Sequence, residues 1–141
     1  MASSKVRIIS PEVKEAAPKL WSNCLVVDSI AYVSGMTARG PDGQTILGDN
    51  EYDQAKVAFQ KIRSMLEAAG GHMDDVVKLT IFVTRIGKNT EVWRAREEFF
   101  SGDFPACSLV EVKGLAKPEI LLEIEAIAHI GCSAQSRNAA A

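Results

Sequence analysis

FPACSLVEVKGLAKPEILLEIEAIA, residues 104–128, reads as two short strands around a turn. The second of them, Leu121 to His129, alternates with period two. Leu122, Ile124, Ala126 and Ala128 fall on one face, Glu123 and Glu125 on the other. Carboxylates on an otherwise apolar strand are costly unless they are paired, hydrated or put to use. Two charges on a wet sheet face is the ordinary explanation.

Upstream of this stretch the pattern is a mixture of short strands and two helices. Val6 to Ile9 is an apolar run and a first strand. Cys24 to Val27 and Ile30 to Val33 flank Asp28-Ser29, the length of a two-residue hairpin loop, and Ser34-Gly35 closes that hairpin. Residues 39–50 (RGPDGQTILGDN) are rich in turn formers and read as a surface loop. Ala55, Ala58, Phe59, Ile62, Met65, Leu66 and Ala69 keep helical spacing, with Gln54, Lys56, Gln60, Lys61, Arg63 and Glu67 on the polar side. Asp49 or Asn50 caps this helix and Gly70-Gly71 stops it. Val76 to Thr84 alternates as a half-buried strand. A second helix runs from about Thr90 to Phe100, with Asn89 as its cap. The sum is an α+β fold, a mixed β-sheet with two helices on one face. Two helices cover only one face of a sheet that is apolar on both, so self-association is expected.

The chain has 141 residues, 16 basic and 18 acidic, which fits one domain and no general affinity for polyanions such as nucleic acid. No run reaches transmembrane length, and the N-terminus lacks the apolar core of a secretory signal, so the expected location is cytoplasmic with no membrane partner. Cys24, Cys107 and Cys132 form no close-spaced motif, and His72 and His129 stand apart, so no metal site is expected. The small, polar stretch from Cys132 is expected to fray, which leaves 1–131 as the domain and 132–141 as a disordered tail.

Several stretches occur together and in order: Ser34-Gly35-Met36, L-E-A-A-G (Leu66 to Gly70), D-V-V-K-x-T-x-F-V (Asp75 to Val83), F-P-A-x-S-x-V-x-V (Phe104 to Val112) and E-I-E-A-I-A (Glu123 to Ala128). In them the chain resembles the RidA/YjgF family, also called endoribonuclease L-PSP or reactive intermediate deaminase-like, from about Ala17 to Ile130. The resemblance implies a chorismate-mutase-like fold and a homotrimer built around a central barrel. It also implies small-molecule clefts between subunits and hydrolysis of imines or enamines without a cofactor. By the same resemblance Glu123 is the carboxylate that directs water, and Ser34 and Met36 lie at the ligand. Cys107 stands where the family has a carboxylate-clamping arginine, which marks a divergent subgroup. Trp21 and Trp93 replace the usual tyrosine and asparagine.

A planar guanidinium grips a carboxylate with two parallel hydrogen bonds, and a thiol cannot. Trp21 and Trp93, with Arg96 one helical turn on, suggest a cleft that exchanged a carboxylate clamp for aromatic surface. Arg96 and Arg39 are the candidates for a relocated cation. Two functions fit: a deaminase-like hydrolase of a small, aromatic-derived imine, or a non-catalytic binding or regulatory trimer. Ribonuclease activity is disfavoured by the acidic charge balance.

Overall fold

A computed structural model describes residues 3–134. Its strands are β1 (Val6–Arg7), β2 (Cys24–Val27), β3 (Ile30–Met36), β4 (Val76–Val83), β5 (Ala106–Glu111) and β6 (Leu122–His129), and its helices α1 (Glu51–Ala68) and α2 (Asn89–Arg96). The six strands form one mixed sheet in the order β1-β2-β3-β6-β4-β5. All neighbours are antiparallel except β4 and β5, which run parallel. The α+β class with two helices is therefore as expected. The pairing of the last two strands is not: β4 lies between β5 and β6, so residues 112–121 form a crossing connection and not a hairpin turn.

Asp28 and Ser29 make the two-residue loop between β2 and β3 at φ 49° and 65°. Both angles are positive, as the right-handed twist of a two-residue hairpin demands. Ser34-Gly35 does not close this hairpin. Strand β3 runs on to Met36, and its register against β6 slips by one residue between Val33↔Ala126 and Met36↔Ile124, a β-bulge at Ser34-Gly35.

Helix α1 begins where Asn50 accepts a hydrogen bond from the Asp53 amide at 2.8 Å. It ends at Gly70, φ 84°, with Gly71 N donating to Leu66 O and Gly70 N to Glu67 O, the paired bonds of a Schellman motif. Its apolar stripe of Phe59, Ile62, Met65 and Leu66 is buried in one core with Leu79, Ile81, Ile124 and Ala126 of the sheet. Helix α2 is shorter than the sequence pattern suggested. After Arg96 the chain tightens to i→i+3 bonds, Glu98 N to Ala95 O and Phe99 N to Arg96 O. That turn brings Phe99 and Phe100 onto Phe59, with ring centroids 5.4 and 5.9 Å apart. Asn89 is the first helical residue, not a side-chain cap.

Two buried polar side chains hold the loops. Gln54, on the polar side of α1 by sequence spacing, is in fact buried. Its amide donates to Gly48 O and Glu119 O and accepts from Leu121 N. Asp75 is fully buried and accepts from the amides of His72, Gly131 and Ser133. The segment expected to fray from Cys132 is thus anchored at its start, and residues 135–141 lie outside the described residues. No helix is long and apolar enough to cross a membrane among the described residues.

The left-handed conformation of Ser29 costs an L-residue roughly 1–2 kcal/mol, a cost glycine avoids. Ser29→Gly is expected to raise stability by about 1 kcal/mol, read as a higher urea midpoint with unchanged slope.

Candidate functional site

Strand β6 sits in the middle of the sheet, and its alternation sorts its side chains cleanly. Leu122, Ile124, Ala126 and Ala128 are buried towards α1, and Glu123 and Glu125 stand on the opposite face. Among the described residues that open face bears no helix. It also displays Leu25 and Tyr32, Thr80 and Phe82, and Ser108 and Val110. Phe82 lies directly across from Glu123 on β4, and Thr80 across from Glu125.

The β3 bulge faces Glu123 from the other flank. A Cβ on Gly35 would come within 2.5 Å of Glu123 Oε2 and 2.6 Å of its carboxyl carbon. The carboxylate therefore lies against bare glycine backbone, in space that no other residue would leave open. Burial first, and the negative charge of Glu125 second, push its pKa above the ordinary carboxylate value. No hydrogen bond or ion pair reaches Glu123 among the described residues.

Next to Gly35, Ser34 donates its hydroxyl to Ser22 O at 2.6 Å, and its amide to Asn23 O at 2.9 Å. These bonds hold the segment that carries Trp21 beside β3. The result is a cavity of about 320 Å³ lined by Trp21, Ser22, Leu25, Tyr32, Val33 and Ser34. Trp21 is 58% exposed, a large indole left in water at the edge of this hollow. Tyr32 was not anticipated as a site residue. Its signal was available, since it stands two residues before Ser34 on the same strand face.

The other sequence candidates lie elsewhere on the chain. Met36 is 3% exposed and packs in the core beneath the sheet, so its side chain does not reach the open face. Cys107 pairs in register with buried Leu79 and packs half-buried against the same core. Trp93 is exposed on α2, and half-buried Arg96 on that helix has a buried Nε without a hydrogen-bond partner. None of these four lines the Trp21 cavity. Arg39 donates to Gly43 O and borders a different cavity, beside α1. Among the described residues no group of three or more His, Cys, Asp or Glu is placed to hold a metal ion.

The model of the family Endoribonuclease L-PSP matches residues 13–130. A protein of unknown function from Pseudomonas aeruginosa is 39% identical, with a TM-score of 0.81 over 92% of this chain and 94% of that one. A protein of the conserved Rid family from Yersinia pestis is 32% identical, with a TM-score of 0.83 over 90% of this chain and 100% of that one. TdcF of E. coli, solved with bound serine, is 25% identical, with a TM-score of 0.80 over 88% of this chain and 98% of that one.

Because folding raises the Glu123 pKa, the folded chain holds that proton more tightly than the unfolded chain. Stability therefore falls as pH climbs from the ordinary value of 4.5 through the raised one, and the penalty is complete above it. Glu123→Gln should raise the melting temperature at neutral pH by a margin that shrinks as pH falls and vanishes well below pH 4.5, where the carboxyl is protonated in folded and unfolded chains alike.

Proposed function

The chain belongs to the endoribonuclease L-PSP family, the YjgF/RidA family, and from that membership and the setting of Glu123 we propose that it hydrolyses the C=N bond of a small imine, or of the imine tautomer of an enamine. The observation that carries this reading is one carboxylate, half-buried, raised in pKa and unpaired, held against Gly35 beside the Trp21 cavity. A carboxylate held in this way is suited to take up and return a proton. Glu123 accepts a proton from water as the oxygen adds to the imine carbon. It returns that proton to the nitrogen of the resulting carbinolamine. The C–N bond then breaks as the carbinolamine hydroxyl gives its proton to the regenerated Glu123 carboxylate, leaving a carbonyl compound and ammonia. A protonated imine is already electrophilic, so the chemistry asks for no metal or organic cofactor.

The working unit in this reading is a homotrimer. The open sheet face carries Leu25, Tyr32, Phe82 and Val110 with no layer over them among the described residues. Further copies of the chain cover such a surface. The cleft then lies between subunits. Trp21, Ser34 and Glu123 come from one copy, and Trp93, Arg96 and the Cys107 region from its neighbour.

Substrate preference follows from Cys107. With no guanidinium there, an amino-acid-derived imine loses a charge-assisted hydrogen-bond pair, each bond worth about 1.5–3 kcal/mol. Trp21 favours a flat or apolar substrate instead. The same feature supports a second reading, a trimer that binds a small molecule without turning it over. The E. coli relative with bound serine is an instance of the fold holding a small ligand.

Ammonia release from freshly generated imines, carboxylated, uncarboxylated and aromatic, decides between the two. Turnover confined to uncarboxylated or aromatic imines, with Glu123→Gln slower by about 100-fold or more, is the expected result. Full activity in Glu123→Gln would sink the mechanism. Silence from wild type, with activity on carboxylated imines appearing in Cys107→Arg, would establish the binding protein.

A further inference from the structure

On the helix side of the sheet, away from Glu123, the loop 39–50 and helix α1 enclose a second cavity of about 420 Å³. That is the size of an ordinary small-molecule pocket. Val13, Leu47, Val57 and Phe99 give it apolar walls. Its charged lining is strongly one-sided: Lys14, Arg39, Lys56 and Lys61 against the single acid Glu12.

The two innermost cations are positioned without an anion. Lys61 is half-buried, and its Nζ donates to Thr37 O at 2.9 Å and Arg39 O at 3.3 Å. Arg39 is also half-buried, and its Nη1 donates to Gly43 O at 3.2 Å. Lys56 has Glu98 at 3.7 Å, whereas no carboxylate pairs with Lys14, Arg39 or Lys61 among the described residues. Burial, and then repulsion from Arg39, hold the Lys61 pKa down to about 8. Pinning the chain beyond β3 accounts for the two carbonyl bonds of Lys61. It does not account for Arg39 at the same apolar hollow. An ammonium with two bonds made has one N–H left, and a guanidinium with one made has four.

We propose that this cavity is a binding site for a small amphipathic carboxylate, its apolar part against Val13, Val57 and Phe99 and its carboxylate on Lys61 and Arg39. Inorganic phosphate would leave the apolar walls unused. An uncharged apolar molecule would leave the half-buried cations without a counter-charge. Only a ligand with both halves satisfies the cavity. The site is separate from the Glu123 face and does not depend on whether that face is catalytic.

The test is an amide-spectrum titration of the isotope-labelled full chain with phenylbutyrate, repeated with the uncharged phenylbutanol. Saturable shifts are expected at Val13, Gly40, Lys61 and Phe99, with strand β6 unmoved. Lys61→Gln and Arg39→Gln should each weaken phenylbutyrate about tenfold, the scale of one charge-assisted hydrogen bond, and phenylbutanol should bind wild type at least as weakly. The same spectra show whether a variant is folded, and if one is not, the other decides. Four results would overturn the proposal: no saturable shift, shifts centred on Leu25, Tyr32 and Ile127, alcohol binding as tight as carboxylate, or folded variants that bind like wild type.

Discussion

Everything in this fold depends on strand β6 being hydrogen-bonded on both sides. It is the last strand made and the central one in space, with β3 on one flank and β4 on the other. The sheet is therefore not closed until the chain is nearly complete, and its defining contacts are distant in sequence. Central placement also fixes the chemistry. A slip of one residue would send Leu122, Ile124, Ala126 and Ala128 to the open face and bury Glu123 and Glu125 under α1. The carboxylates stay outside because four apolar neighbours require the inside.

Loops are held to this sheet by polar groups in the interior. Gln54 bridges loop 39–50 to the connection that precedes β6, meeting three main-chain groups with one amide. Asp75 performs the same service where the chain leaves β6, gathering amides from residues before and after the sheet. Buried amides and carboxylates of this kind are tolerated because their bonds are made. Beside the start of α1, Arg85 meets the buried Glu51 carboxylate with two bonds of 2.7 Å, which completes the ring of attachments around the helix layer.

Periodicity made much of this legible. The inner and outer rows of β6, the stripe of α1 and its caps, and the two-residue loop at Asp28-Ser29 all follow from local spacing. What spacing does not carry is the identity of a partner. The parallel pairing of β5 with β4 is invisible in FPACSLVEV, because the same alternation serves either neighbour. Gln54 read as surface since its acceptors lie in loops remote in sequence. Ser34-Gly35 read as a strand end, whereas a bulge keeps the strand going and turns its kink towards Glu123. Motif likeness placed Met36 and Cys107 at a ligand; Met36 is buried in the core, and half-buried Cys107 stands opposite Leu79 on the edge strand β5. Of the candidate site, Glu123, Trp21 and Ser34 stand on one region of the open face. Tyr32 joined them only once β3 was seen to continue.

The contact between Glu123 and Gly35 has a consequence for descent. A carboxylate resting on bare backbone binds the histories of two positions distant in the chain. While the glutamate is kept, position 35 cannot accept even a methyl group without displacing it. Once a lineage discards the carboxylate, that prohibition lapses and the glycine is free to drift. Among descendants of this fold, a side chain at position 35 should therefore accompany a carboxylate that has swung to another rotamer or been replaced, and a glycine retained there one that still lies against the backbone.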